Sequence, residues 1–210
     1  MSPMRQRKFW SRSGAALVLC FLWSGCTEPN SVDNDTTNTI VVIDTLQAAS
    51  AGSSTVTGDD LFSDVCDDAT TTSCVAVNDN GVVQMRAHLK DPSALSGNLN
   101  AVEFTRYHVT YVRADGRNVP GVDVPYPFDG AATFRVPADG TTVNRTFMVV
   151  RQQAKIETPL RELRTDKSAV AGAGGALILS TLAQIDFYGT DLAGRAIQVT
   201  GHLNITFGDF

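Results

Sequence analysis

The chain has 210 residues, 43% of them hydrophobic, with 17 basic and 22 acidic side chains and a formal net charge of −5. This length suits one domain with a sizeable core. The acidic balance argues against nucleic acid and anionic lipid headgroups as partners, because both carry the same sign of charge.

Residues 1–25 contain the three parts of a secretory signal. Four cations and no acidic residue precede position 15, namely Arg5, Arg7, Lys8 and Arg12. An apolar run at 15–23 follows, and it is shorter than the about 20 residues that a membrane-spanning helix needs. Two small residues, Ser24 and Gly25, end the run. We predict that residues 1–25 are a signal peptide.

The segment Trp23-Ser24-Gly25-Cys26 resembles the lipobox of bacterial lipoproteins. The family usually has leucine three positions before the cysteine, where this chain has Trp23. The resemblance implies that cleavage precedes Cys26, that its sulfur carries a diacylglycerol, and that acyl chains such as palmitate attach the protein to a membrane. The presence of Thr27 rather than aspartate implies the outer membrane if the cell is Gram-negative. The alternatives are an ordinary cleaved signal with an incidental cysteine, and an uncleaved anchor.

Removal of the signal changes the charge and the aromatic content. A chain beginning at Cys26 keeps 13 of the 17 basic residues and all 22 acidic ones, which gives a net charge of −9. It keeps neither tryptophan, since Trp10 and Trp23 both precede the cleavage site. Cys66 and Cys74 remain as an even pair in an oxidising compartment, and we predict a disulfide between them. Free thiols are the alternative; a zinc site would need more ligands at suitable spacing.

A polar segment separates the signal from the folded part of the chain. Residues 26–39 are rich in Asn, Asp and Thr, which predicts a flexible tether. The β-branched run at 40–46 predicts the first strand of a single domain over 40–210. A second polar patch at 48–60 predicts a loop. The sequence Asn78-Asp79-Asn80-Gly81 predicts a hairpin turn within 75–89.

The remaining segments predict further strands. Residues 101–113 read as one long strand with a bulge between Phe104 and Tyr107, where the alternation slips. Strands are also predicted at 132–137 and 145–152, joined by a turn at Asp139-Gly140. Residues 195–207 alternate strictly, with apolar residues at odd positions from Ile197 to Phe207. A loop at 189–194 joins this strand to the preceding one, and Thr158-Pro159 predicts a short helix near 159–165.

Seven to nine strands with one short helix predict an all-β, antiparallel β-sandwich. The stretch RYHVTYVRADG at 106–116 resembles the third strand and following turn of fibronectin type III and related immunoglobulin-like domains. The resemblance implies an immunoglobulin-like architecture and carries no functional residues with it.

The chain lacks the usual signatures of catalysis. No GxSxG sequence is present, and the glycines of AGAGGA at 171–176 lack the pattern of a nucleotide-binding loop. His88, His108 and His202 each fall in a different predicted strand, which favours solvated histidines over a zinc site. We therefore predict a protein that is not an enzyme and has no cofactor.

Two groups of residues remain as candidate sites. Six aspartates cluster around the cysteine pair and could supply oxygen ligands to Ca²⁺, although solvated loops are the more usual role of such residues. They are Asp59, Asp60, Asp64, Asp67, Asp68 and Asp79. Tyr126 lies between Pro125 and Pro127, and Phe128 follows Pro127. The two aromatic residues could form an exposed recognition loop, or fold back over the rim of the core.

These observations predict a membrane-anchored envelope lipoprotein with a non-catalytic binding or structural module. Its expected partner is another envelope protein or a surface polymer. The alternative is a carbohydrate-binding module at the cell surface, in which tyrosines would replace the missing tryptophans.

Overall fold

The computed structural model describes residues 37–49, 51–66, 75–93, 100–164 and 178–210. All of them belong to one compact unit, Val32–Phe210, while the unit Met1–Ser31 lies outside the described residues. Thr37 and Thr39 are already buried, so the domain includes residues that the sequence assigned to the tether. No helix in the described ranges is long and apolar enough to cross a membrane.

Nine strands make up most of the described chain. They are β1 (Thr39–Ala49), β2 (Val56–Gly58), β3 (Asp60–Asp64), β4 (Asp79–Leu89), β5 (Val102–Val112), β6 (Phe128–Val136), β7 (Val143–Val150), β8 (Leu179–Asp191) and β9 (Ala196–Gly208). One α-helix, α1 (Gln152–Ile156), and one 3₁₀ turn (Leu160–Leu163) lie between β7 and β8. The all-β prediction is confirmed.

The strands form two sheets in the order of an immunoglobulin-like sandwich. One sheet has the order β2-β1-β4-β7, and the other has the order β3-β9-β8-β5-β6. In the usual nomenclature β1, β4 and β7 correspond to strands A, B and E, while β5, β8 and β9 correspond to C, F and G. One pairing departs from the antiparallel prediction, because β3 runs parallel to β9.

The alternation in β8 and β9 places one face of each strand in the core, as predicted. Ile197, Val199, Leu203, Ile205 and Phe207 are buried, whereas His202 and Asn204 on the opposite face are exposed. The two strands pair continuously from Leu179↔Phe207 to Thr190↔Ala196. Successive side chains of a strand point to opposite sides, so this hairpin supplies both a core surface and a solvent-facing surface.

The predicted bulge in β5 is confirmed. The register of β5 shifts between Phe104 and Arg106 against both β6 and β8. The bulge keeps Phe104 and Tyr107 on the core side, where Phe187 lies within 6.4 Å of both ring centroids. Phe134 stacks on Phe104 with centroids 5.1 Å apart. Such pairs contribute about 0.5–1.5 kcal/mol each beyond burial.

The predicted hairpin turn at Asn78–Gly81 is wrong. Gly81 lies inside β4, paired with Ala48 of β1 and Phe147 of β7. A Cβ atom at this position would come within 2.8 Å of Val149 Cγ2. The glycine therefore makes room for a neighbouring strand, which is a packing role that the Asn-Gly pattern cannot distinguish from a turn.

The predicted loop at 48–60 is also only partly correct. It contains the end of β1, all of β2 and the start of β3. β2 pairs with Ala48 and Ala49, and β3 pairs with residues of β9 that lie far away in sequence. Short edge strands of this kind depend on their partners rather than on their own composition.

The short helix predicted near 159–165 is replaced by the 3₁₀ turn. The Thr158 hydroxyl donates to the Gly121 carbonyl at 2.8 Å instead of capping a helix. The α-helix lies earlier and ends before Pro159, which disfavours helical backbone in the residue that precedes it. Among the described residues, the Thr158-Pro159 peptide bond is cis.

Candidate functional site

The outer side of the five-stranded sheet carries an ordered set of polar side chains on β5, β6, β8 and β9. Cross-strand pairing places Asp129, His108, Asp186 and Thr200 in one row. We call this surface the polar face and define it by Arg106, His108, Thr110, Asp129, Gln184, Asp186, Tyr188, Gln198, Thr200 and His202. Its side chains occupy neighbouring strands about 4.8 Å apart, with about 7 Å between successive rows.

Asp186 is the central acid of the polar face. Although it points away from the core, it is only 7% exposed, because cross-strand and same-face neighbours surround it. Thr200 Oγ1 donates to Asp186 Oδ1 at 2.6 Å. Gln184 Nε2 lies 3.4 and 3.3 Å from the two carboxylate oxygens. The carboxylate is thus held in place by one short hydrogen bond and two long ones.

Tyr188 is the aromatic residue of the polar face. The Arg106 guanidinium lies 4.2 Å from its ring centroid, a cation–π contact that fixes both groups. Burial raises the pKa of Tyr188, the nearby Asp186 charge raises it further, and Arg106 lowers it. The phenol is therefore neutral and able to donate a hydrogen bond at physiological pH. Within the described residues its hydroxyl makes no hydrogen bond.

Asp129 joins two cationic or potentially cationic groups at the edge of the polar face. Its Oδ1 lies 3.1 Å from His108 Nδ1 and 3.4 Å from Arg106 Nη1. These contacts are exposed, so each contributes at most about 1 kcal/mol to stability. Their effect is to order the side chains next to Tyr188 and Asp186.

An apolar patch adjoins the polar face at the end of the sheet. It consists of Phe62, Val112, Leu182 and Phe210, all exposed. The rings of Phe62 and Phe210 meet edge to face with centroids 6.1 Å apart. A pocket of about 440 Å³ lies among Phe62, Val112 and Leu182. The outer surface of this sheet thus has a polar region and, next to it, an apolar one.

The aspartates proposed for Ca²⁺ are partly brought together. Asp59, Asp60, Asp64 and Asp79 line one pocket of about 400 Å³, while Asp67 and Asp68 lie outside the described residues. Asp59 accepts a hydrogen bond from Gln47, and Asp60 accepts one from Asn204. Among the described residues, no group of three or more His, Cys, Asp or Glu side chains is arranged to hold a metal ion.

Asp79 belongs to a buried network and not to an open acidic loop. Lys155 Nζ lies 3.1 Å from Asp79 Oδ2, and the Ser63 hydroxyl donates to the same oxygen at 2.6 Å. Ser63 and Lys155 are both fully buried. The network therefore joins α1 to β3 and β4 inside the domain, and a substrate would not reach its serine.

The two aromatic candidates have different environments. Tyr126 is 49% exposed, with its ring packed over Gly121. Phe128 is buried at the start of β6, against Tyr107 and beneath the Arg151 guanidinium. Phe128 thus covers the rim of the core, which was the alternative interpretation, and only Tyr126 presents a large surface to solvent.

The cysteine predictions fall mainly on residues that are not described. Cys26 and Cys74 lie outside the described residues. Cys66 follows β3, and its backbone N–H donates to Asp64 Oδ1 at 2.9 Å. Lipidation at Cys26 and the Cys66–Cys74 disulfide both stay predictions.

Sequence reasoning missed the polar face as a site. The strict alternation of β9 identified a solvent-facing surface, and the same parity in β8 contains Gln184, Asp186 and Tyr188. That parity was a usable signal for their common face. Their proximity to Arg106 and His108 depends on the pairing of β5 with β8, which the sequence does not specify.

Comparisons with known proteins identify no family. No protein-family model and no curated protein matches the chain. One similar solved structure is the "X-ray structure of Northeast Structural Genomics Consortium target SoR45", with a TM-score of 0.37 and 9% identity. The match covers 80% of this chain and 84% of that one.

Proposed function

We propose that the protein is a lipid-anchored lipoprotein of the bacterial cell envelope, and that its β-sandwich is a non-catalytic binding or structural module. The observation that carries the proposal is the position of Cys26, directly after a cationic flank, a short apolar core and two small residues. Two or more acyl chains on one residue hold a protein firmly to a bilayer. The outer membrane is the expected location in a Gram-negative cell.

The expected partner of the module is another envelope protein or a surface polymer. An even pair of cysteines, Cys66 and Cys74, suits the oxidising side of the membrane, and their disulfide would stabilise the domain. The second candidate function is a carbohydrate-binding module. The ordered hydrogen-bonding side chains of the polar face favour this function. Tyr188 supplies an aromatic surface beside them, in a chain whose tryptophans precede Cys26.

Substitution of the anchoring cysteine tests the first proposal. In bacteria fed a clickable palmitate analogue, the full-length protein should be labelled, and Cys26→Ser should lose the label and keep residues 1–25. Cys20→Ser is the matched control, because Cys20 lies in the apolar run and should not affect labelling. Label retained by Cys26→Ser, or a natural product that mass spectrometry shows to be unacylated, would refute the anchor.

A further inference from the structure

We propose that the polar face binds an uncharged chain of hexopyranose sugars, with Tyr188 as the stacking residue and Asp186 as the central hydrogen-bond acceptor. This inference rests on the proposal that the sandwich is a binding module. Sugars combine apolar C–H faces with a rim of hydroxyl groups. A site for them therefore needs a fixed aromatic surface with hydrogen-bonding side chains around it.

Asp186 has the position and the remaining capacity of such an acceptor. A carboxylate can accept about four hydrogen bonds. The described chain gives Asp186 one short bond, from Thr200, and two long contacts from Gln184. Because a buried carboxylate is costly unless its oxygens are hydrogen-bonded, sugar hydroxyls would find a strong acceptor held by the sheet.

Tyr188 supplies the stacking surface beside that acceptor. It neighbours Asp186 on the same face of β8, and its raised pKa keeps the phenol neutral. The Arg106 guanidinium covers one face of the ring and is itself bound to Asp129, so the ring is ordered before a ligand arrives, and a sugar would stack on its opposite face. Pre-ordered side chains lose less conformational entropy on binding. Tyr188 and its surrounding amides thus form a preorganised platform.

The charges and composition of the polar face favour a neutral sugar over other partners. Arg106 is opposed by Asp129 and Asp186, so the surface is weakly acidic and repels anionic polymers. The cores of protein interfaces are depleted of charged side chains and enriched in aromatic ones. The polar face has a single aromatic residue among acids, amides and imidazoles, which suits hydroxyl groups better than a protein surface.

Calorimetric titration of the purified full-length protein tests the proposal. The detergent must lack a sugar headgroup, because such a headgroup would compete for the site. The probes are linear hexamers of β-1,4-glucose, β-1,4-N-acetylglucosamine, β-1,3-glucose and α-1,4-glucose, with an oligogalacturonate hexamer as the anionic comparison. We expect at least one neutral hexamer to bind, and to bind more tightly than the anionic one.

Variants of Tyr188 and Asp186 should weaken that binding. Tyr188→Ala should raise the Kd at least about tenfold, in line with the loss of an aromatic contact. Tyr188→Phe, which keeps the stacking ring, should change it by less than about threefold. Asp186→Asn should raise the Kd about tenfold, because the amide is a weaker acceptor. The melting temperature of each variant shows whether the domain remains folded.

Tyr126→Ala is the matched control, since it removes an exposed tyrosine that is not part of the polar face and should leave the Kd unchanged. Three results would overturn the proposal: no binding of any neutral hexamer, tighter binding of the anionic hexamer, or wild-type affinity in Tyr188→Ala. Palmitate labelling at Cys26 tests the lipid anchor independently of sugar binding. A failed titration with a labelled chain thus rejects the sugar site alone.

Discussion

Lys155 and Asp79 form an ion pair between residues that are 76 positions apart in sequence. Lys155 is 0% exposed, and the Ser63 hydroxyl supplies a further hydrogen bond to the carboxylate. Buried charges cost free energy unless they are paired and hydrogen-bonded. The ion pair therefore attaches α1 to β4, together with the Gln152 N–H that donates to Asn78 Oδ1 at 2.6 Å.

Loss of the buried lysine should destabilise the domain strongly. Lys155→Met leaves the Asp79 carboxylate buried without its cation, so the free energy of unfolding should fall by about 3–5 kcal/mol. Urea denaturation measures the change. The matched control is Arg86→Met at the Arg86–Asp44 pair, where Arg86 is 47% exposed, and we expect a loss below about 1 kcal/mol. Equal effects of the two substitutions would contradict this interpretation.

Tyr111 should make the domain sensitive to alkali. Burial raises its pKa far above the usual 10.0, and its hydroxyl donates to the Val149 carbonyl at 2.7 Å. A raised folded-state pKa contributes stability that is complete below the unfolded-state pKa of about 10 and is lost as the pH rises above it. Denaturation curves from pH 8 to 11.5 should show this decline.

Tyr111→Phe isolates that contribution, since it removes the titrating group. At pH 8 the variant should be less stable by about 1 kcal/mol, through the lost hydrogen bond. Above pH 10 its stability should fall less steeply than that of the wild type, so that the two curves converge. Parallel curves over the whole range would rule out Tyr111 as the source of the alkaline decline.

At the scale of single residues, the sequence predicted whether a side chain is buried better than it predicted which residues that side chain contacts. The alternating pattern correctly placed His202 on the solvent side and Leu203 in the core. It could not show that Asp186 would be buried on the solvent side, because that burial depends on His108 and Thr200 from two other strands. Likewise, the acidic cluster suggested a common role for residues of which Asp79 is bound to Lys155 instead.

At the scale of elements, strands with strong alternation were predictable and strands defined by their partners were not. β8 and β9 have a period of two over most of their length, so their faces follow from local sequence. β2 and β3 are short, and they form because β1 and β9 offer free edges to pair with. The Asn-Gly turn failed for a related reason, since β7 covers Gly81.

Two glycines of the β8–β9 hairpin should respond differently to alanine. A Cβ at Gly189 would lie 2.4 Å from the Glu103 carbonyl oxygen, at the bulge of β5. The β5 backbone at Glu103 is held by its strand pairing and cannot easily shift to accommodate the Cβ. Gly189→Ala should therefore lower the free energy of unfolding by about 1–3 kcal/mol. A Cβ at Gly201 would meet the tips of the Leu46 and Ile43 side chains at 2.9 and 3.1 Å.

Gly201→Ala is the control for the strand-packing argument, because flexible side chains can shift. It should cost less than about 1 kcal/mol, and thermal melts of both variants allow the comparison. A Gly201→Ala variant that melts below Gly189→Ala would show that the close approach of β5 and β8 is not the constraint.

At the scale of the whole molecule, the β-sandwich could be predicted from strand number and spacing, but its strand order could not. Local sequence reveals where strands and turns occur, while the choice of neighbours depends on packing between distant segments. The same limit applies to the polar face, which combines strands from both halves of the described domain. The resemblance to a lipobox, by contrast, depends on local sequence, so the anchor could be proposed from residues 1–26 alone.

The parallel pairing of β3 with β9 affects how the chain acquires its structure. Asp60 of β3 lies opposite Asn204 of β9, so the two strands meet only after almost the whole intervening chain is available. Contacts this distant in sequence are typical of slow-folding domains. If the chain crosses a membrane with its N-terminus first, as the proposed signal peptide would require, β3 reaches the far side before β9 and its apolar residues stay exposed until β9 arrives. Slow pairing of β3 with β9 would then keep the chain unfolded during translocation. It would also leave the chain prone to aggregation until the pairing is complete.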